Sequence, residues 1–114
     1  MEDAIRFDKM PCVYWSESTK ISYLQRRVIV YSIMYYELNE SCVSDDYYEA
    51  VVQQLLRMQS QASSDVLEKT RYNYVMYDFD GSTGFHLFGR LNKSDKKYLL
   101  GIAKAVLEQQ KRST

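Results

Sequence analysis

Residues 19–58 read TKISYLQRRVIVYSIMYYELNESCVSDDYYEAVVQQLLRM. Within them Ile21, Leu24, Val28, Tyr31, Tyr35 and Leu38 recur at alternating steps of three and four. That spacing puts them on one stripe of a helix over about 19–39. Val30, Ile33 and Met34 widen the stripe, so this helix is expected at the centre of the fold. Ser16 or Ser18 can cap its start. Asn39–Val43 reads as a tight connection. Ser44 then precedes Asp45 and Asp46, a hydroxyl followed by acids, which satisfies the exposed amides and positive pole of a helix N-terminus. Tyr48, Val51, Leu55 and Met58 stripe this second helix, and two helices on so short a link pack antiparallel as a hairpin.

Outward from the hairpin the pattern weakens. Residues 1–17 have no steady period and are broken by Pro11, which predicts an irregular arm with one short strand around Cys12–Trp15. Gln59–Asp65 is polar and rich in Ser and Gln, the composition of a loop. Tyr72–Tyr77 is aromatic and β-branched, which suits a strand. DFDGSTG at 78–84 is turn chemistry, and Phe85–Leu91 can return beside the first strand. Ser94 with Asp95 opens a last helix to about Gln110, striped by Tyr98, Leu99, Ile102 and Val106. The expected fold is therefore α+β in a single domain over 1–114. It comprises an irregular arm (1–17), a helical hairpin (19–58), a short β-hairpin (71–91) and a C-terminal helix (94–110).

Composition narrows the function. Fifteen basic and fifteen acidic residues balance, which argues against a dedicated nucleic-acid binder, and no sequence-specific nucleic-acid contact is expected. The only long apolar stretch, Val28–Met34, is far short of the roughly 20 residues that cross a bilayer, so no membrane partner is expected. Met1, Glu2 and Asp3 open the sequence without the apolar run of a secretion signal, and Cys12 and Cys42 have no CxxC partner. Free thiols in a cytoplasmic compartment follow. Two Cys and His86 are too few soft ligands for structural zinc, so no metal is expected. Eleven tyrosines are a surplus of a residue favoured at interfaces and ligand pockets.

Catalytic motifs are incomplete. DFDGST resembles the DxDGT of haloacid-dehalogenase-type phosphatases, in which the first Asp attacks phosphorus. That chemistry also needs a later Lys, a later acidic pair and a doubly wound sheet, and the chain after Asp80 is too short for several βα crossovers. A turn held by its own Asp and Ser side chains is the remaining reading. His86 is the sole histidine, and no nucleophile elbow or phosphate loop occurs. No catalytic residues are assigned, and the chain is expected not to be an enzyme.

The stretch YYELNESCVSDDYYEAVVQQL (35–55) resembles the small N-terminal module, domain Ia, of NAD-dependent DNA ligases. That module is a helical hairpin in which a Tyr-His/Tyr pair ends one helix and an Asp-x-x-Tyr-Asp begins the next. The resemblance implies that Tyr35, Tyr36, Asp45, Tyr48 and Glu49 fall on positions contacting nicotinamide mononucleotide, as a bound ligand rather than a resident cofactor. Tyr36 stands where His is commoner, Glu49 where Asp is usual, and the turn lacks its Pro. The adenylation signature KxDG is absent, which excludes ligase activity in this chain alone. Over nearly its whole length the chain is also similar to small bacteriophage and mobile-element proteins that join such a hairpin to a YxYVxYDFDGSTGF(D/H)L segment, here Tyr72–Leu87.

This second resemblance implies a non-enzymatic protein that inhibits a host defence complex in the bacterial cytoplasm. A type II CRISPR nuclease is the leading target, with Cas9 or its guide-RNA complex as partner. Trp15, Tyr23, Arg26, Arg27 and Tyr47 are the residue types of binding hot spots. Tyr47 precedes the stripe residue Tyr48 and is expected to face outward, as is Arg27. The alternatives are a nicotinamide-nucleotide-binding module and an accessory subunit of a DNA ligase or replication complex.

Overall fold

The computed structural model describes residues 3–9 and 12–112. Among them lie six α-helices and one 3-10 turn, and no strand. The helices are α1 (Glu17–Tyr36), α2 (Asp45–Gln61), α3 (Ser64–Glu68), α4 (Asn73–Met76), α5 (Leu87–Arg90) and α6 (Lys93–Arg112). The expected α+β class is therefore corrected to all-α, and among the described residues no helix is long and apolar enough to cross a membrane.

Helix α1 organises the rest. Ser16 caps it by accepting a hydrogen bond from the Thr19 amide at 3.2 Å. Every residue from Val28 to Met34 is buried. A helix apolar on several faces must be covered on several sides, and α2, α3, α5 and α6 all pack against it. It ends at Tyr36, where the amides of Glu37 and Leu38 both donate to Ile33 O and Asn39 takes φ of 53°. Asparagine tolerates this left-handed conformation better than other side-chain-bearing residues. The link to α2 thus spans 37–44, longer than the expected 39–43.

Ser44 caps α2 through the Tyr47 amide at 3.1 Å, as its position before two acids implies. Helix α2 continues past Met58 to Gln61, and Ser63 caps α3 through the Val66 amide. The expected 59–65 loop is thus reduced to a break at Ala62 and Ser63. The arm crosses the hairpin. Gln54, buried in α2, accepts from the Ile5 amide at 3.0 Å and donates to Ile5 O at 2.9 Å. Asp3 pairs with Arg57. Cys12–Tyr14 is a 3-10 turn where a short strand was expected. The Pro11 break and the opening Met1 and Glu2 lie outside the described residues.

The expected β-hairpin at 71–91 is replaced by two single helical turns. Val75 and Met76 amides both donate to Tyr72 O at 3.0 Å, closing α4. Tyr72, just before the helix, and Val75 and Met76 within it are buried, at i, i+3 and i+4, while Tyr74 and Tyr77 are exposed. A strand would have put Tyr72, Tyr74 and Met76 on one face. Leu87 and Leu91 bury at i and i+4 in the same way. An isolated two-stranded hairpin is marginal in water, whereas each turn lays apolar side chains onto the core. Gln25 of α1 fixes the approach to α4: its Oε1 accepts from the Tyr72 amide at 3.2 Å, and its Nε2 donates to Thr70 Oγ1 and Gln59 Oε1. Asn92 begins α6, accepting from the Asp95 amide at 2.7 Å, in place of the expected Ser94.

Segment 78–84 closes over the hairpin through its glycines. Gly81 has φ of 86°, which side chains resist. A Cβ at Gly84 would overlap Ser32 Oγ and stand 3.2 Å from Tyr48 Oη. Gly84→Ala is therefore expected to lower stability by about 1–3 kcal/mol through overpacking. Gly101→Ala, whose Cβ would meet open space on an exposed face of α6, is expected to raise it by about 0.5–1 kcal/mol. Urea midpoints measure both, and a destabilised Gly101→Ala with an unaffected Gly84→Ala contradicts this packing.

Candidate functional site

The end of α1 and the start of α2 face each other across the 37–44 link, so their terminal side chains converge. Tyr35 and Tyr36 come from the last turn of α1, Asp45 from the first residue of α2, and Tyr48 and Glu49 from its second turn. All five line one cleft of about 210 Å³, with Tyr31, Ser32, Ser41 and Val43. Gly81, Ser82, Thr83 and Gly84 complete it, which sequence reasoning did not assign to the site. The only signal for them lay in the glycine spacing of DFDGSTG, which is meaningful once Ser32 is known to sit opposite Gly84.

The wall is aromatic and hydrogen-bonded. Tyr35 and Tyr36 pack edge to face at 4.9 Å, and Tyr36 packs in the same way on Phe85 at 5.4 Å. Tyr36 Oη lies 3.1 Å from Thr83 Oγ1, tying the segment to α1. Tyr48 is edge-on to Tyr31 at 6.3 Å, and its hydroxyl lies 3.3 Å from Ser32 Oγ, which donates to Val28 O. Tyr35 lines the cleft and is 60% exposed, so part of its side chain is open to an occupant. Asp45 and Glu49 are both exposed, and Glu49 Oε1 accepts from Gln53 at 2.8 Å. Burial is the main cause that raises the Tyr48 phenol above its ordinary range, and the nearby Glu49 charge adds to it.

The DFDGST carboxylates are otherwise engaged. Asp78 pairs with Arg90, and Asp80 Oδ1 accepts from the Ser82 amide and hydroxyl. Among the described residues no three His, Cys, Asp or Glu side chains form a metal cluster.

The residues expected as hot spots, Trp15 before α1, Tyr23, Arg26 and Arg27 on it and Tyr47 on α2, lie apart from the cleft. Trp15 and Tyr23 join Phe7 in a triangle of rings at 5.5–6.2 Å. Arg26 stacks on Tyr23 at 5.4 Å. Arg27 lies between the Tyr23 and Tyr31 rings and donates to Tyr23 Oη and Tyr47 Oη, each at 3.2 Å. Arg27 and Tyr47 are thus half-buried and turned toward each other, not outward as the sequence suggested. Two grooves meet at Tyr23 and Arg26. One, of about 620 Å³, adds Trp15, Arg71, Tyr72, Asp95 and Tyr98; the other, of about 590 Å³, adds Arg27, Tyr31, Val43 and residues of α6. Tyr47 lines neither. A scan against protein-family models finds no match, and neither do searches of the curated proteins and the solved structures.

Tyr31, between cleft and groove, is pushed up to about 12, chiefly by burial, against the opposing Arg27 charge. A phenol whose folded value is raised stabilises the fold fully below its unfolded value near 10. That contribution is lost as pH rises from about 10 toward 12. Stability is therefore expected to fall across that window, and Tyr31→Phe to flatten the fall. Thermal melts of both proteins at stepped alkaline pH measure this. An equal decline in the two would show that other groups dominate.

Proposed function

We propose that this chain is a non-catalytic binding module whose cleft between α1 and α2 takes a nicotinamide nucleotide of the mononucleotide class. The supporting observation is the convergence of Tyr35, Tyr36, Asp45, Tyr48 and Glu49 on one cleft. Tyrosine faces can stack on a flat ring, and carboxylates and hydroxyls can accept and donate to ribose hydroxyls. A volume of about 210 Å³ is below the range of roughly 300–1,000 Å³ that encloses a whole drug-sized ligand. Ring and sugar would fill the cleft, and the phosphate would project into water.

At roughly 0.3 kcal/mol per heavy atom, a ligand of about twenty such atoms gains about 6 kcal/mol, a dissociation constant of tens of micromolar. Calorimetry with nicotinamide mononucleotide is expected to show that affinity, and Tyr35→Ala to weaken it about tenfold without loss of the fold. No heat at millimolar ligand would remove the nucleotide reading.

A second reading, inhibition of a phage or mobile-element host's defence complex, draws on the paired grooves at Tyr23 and Arg26. Among the described residues Arg26 has no carboxylate partner, and Trp15 and Tyr98 flank it. Such Arg and aromatic residues suit a macromolecular anchor. Cas9, bound to its guide RNA or free, is the target proposed. In a Cas9 cleavage assay with the protein added before or after guide loading, inhibition is expected to saturate near one protein per nuclease. It should also weaken in Arg26→Ala. Full cleavage at large excess in both orders, across several Cas9 orthologues, would remove that target.

A further inference from the structure

The cleft is one-sided in charge. Its thirteen lining residues include Asp45 and Glu49 and no Lys, Arg or His. Four of them are tyrosines: Tyr31, Tyr35, Tyr36 and Tyr48. Arg27 stands 5.2 Å from the Tyr31 ring centroid but does not line the cleft. The positive pole of α2 opposes a cation here, but its equivalent of about half a charge is outweighed by two carboxylates. Aromatic faces with nearby carboxylates are the surroundings that hold quaternary nitrogen cations, whereas a phosphate is usually met by Arg, Lys or clustered amides.

We infer that the cleft selects its ligand by positive charge, taking a flat organic cation such as an oxidised pyridinium ring and leaving any phosphate unread. The inference rests on the nicotinamide reading for its choice of ring, and it names the form of that ring which is bound. The oxidised ring of a nicotinamide ribotide carries a full positive charge on a planar nitrogen heterocycle. The dihydro ring has nearly the same outline and no charge. Tyr35 offers an exposed aromatic side chain, while Asp45 and Glu49 set the sign of the potential. Because both carboxylates are exposed, the preference should weaken as salt rises.

Calorimetric titration at low salt tests this with five probes: oxidised and reduced nicotinamide mononucleotide, nicotinamide riboside, and the 1-methylnicotinamide cation against neutral nicotinamide as a further pair. The oxidised mononucleotide is expected to bind at least tenfold more tightly than the reduced one. The riboside should match the oxidised mononucleotide within about threefold. The double variant Asp45→Asn, Glu49→Gln should lose the oxidised preference and keep its helical circular dichroism. Asp46→Asn removes a first-turn acid of α2 that does not line the cleft, and it should keep the preference. Equal binding of oxidised and reduced forms would overturn the inference while leaving the nicotinamide reading in place, and so would a riboside tenfold weaker than the mononucleotide. Binding of 1-methylnicotinamide but of neither mononucleotide would overturn the nucleotide reading and the unread phosphate together, leaving only the preference for a cationic ring. No binding by any probe overturns both.

Discussion

Seven consecutive buried residues in one helix are the constraint on which the other elements depend. From Val28 to Met34 helix α1 has no face that can be left to water. Burying each large apolar side chain is worth about 1.5–3 kcal/mol, so covering the helix on all sides is the main return for ordering the rest of the chain. Helices α2, α6, α5 and α3 pack against α1, and α4 packs on α5 while adding Val75 and Met76 to the core. The cover must also satisfy the polar atoms it buries. Gln25 does so by bonding the backbone and side chains of the 59–72 stretch. Ser32 does so by bonding Val28 O within its own helix, leaving room for Gly84 to lie against it.

The parts of this arrangement legible in the sequence are those with long periods or single-residue chemistry. Twenty residues of α1 give a stripe several turns long, and Ser16 and Ser44 announce the caps. The 71–91 region failed for a physical reason. Each of its helices has four residues, too few for a period to stand out, and its Tyr and Val content favours strand by propensity. The correct signal was the i, i+3, i+4 spacing of Tyr72, Val75 and Met76, which propensity masked. Tertiary cover then decided the outcome, as it commonly does for short segments. The cleft divides in the same way. Its five hairpin residues were legible by resemblance, and their convergence follows from where α1 stops. Its 81–84 wall depends on a long-range approach that no local pattern encodes. Arg27 shows a different limit: its half-burial between tyrosine rings reflects partners 4 and 20 residues away.

The same helix explains how a chain of zero net charge can carry two regions of opposite character. Tyr31 and Val43 line both the cleft and one of the grooves, so one ring and one valine form a wall shared by the two regions. On the groove side Arg27 lies over the Tyr31 ring, and Arg26 continues the basic surface. On the cleft side Asp45 and Glu49 stand at the start of α2. A buried phenol between them keeps its proton, because burial penalises the phenolate more than Arg27 favours it. The wall is therefore neutral, and because its interior is apolar it screens the charges on its two sides from each other less than water would. A charged residue at position 31 would have to be desolvated beside Arg27, and a smaller one would open the wall and remove one of the two rings that Arg27 lies against. The aromatic identity of Tyr31 thus follows from both sides of α1 at once: it is a core residue for the helix, a ring face for the guanidinium and a lining residue for the cleft.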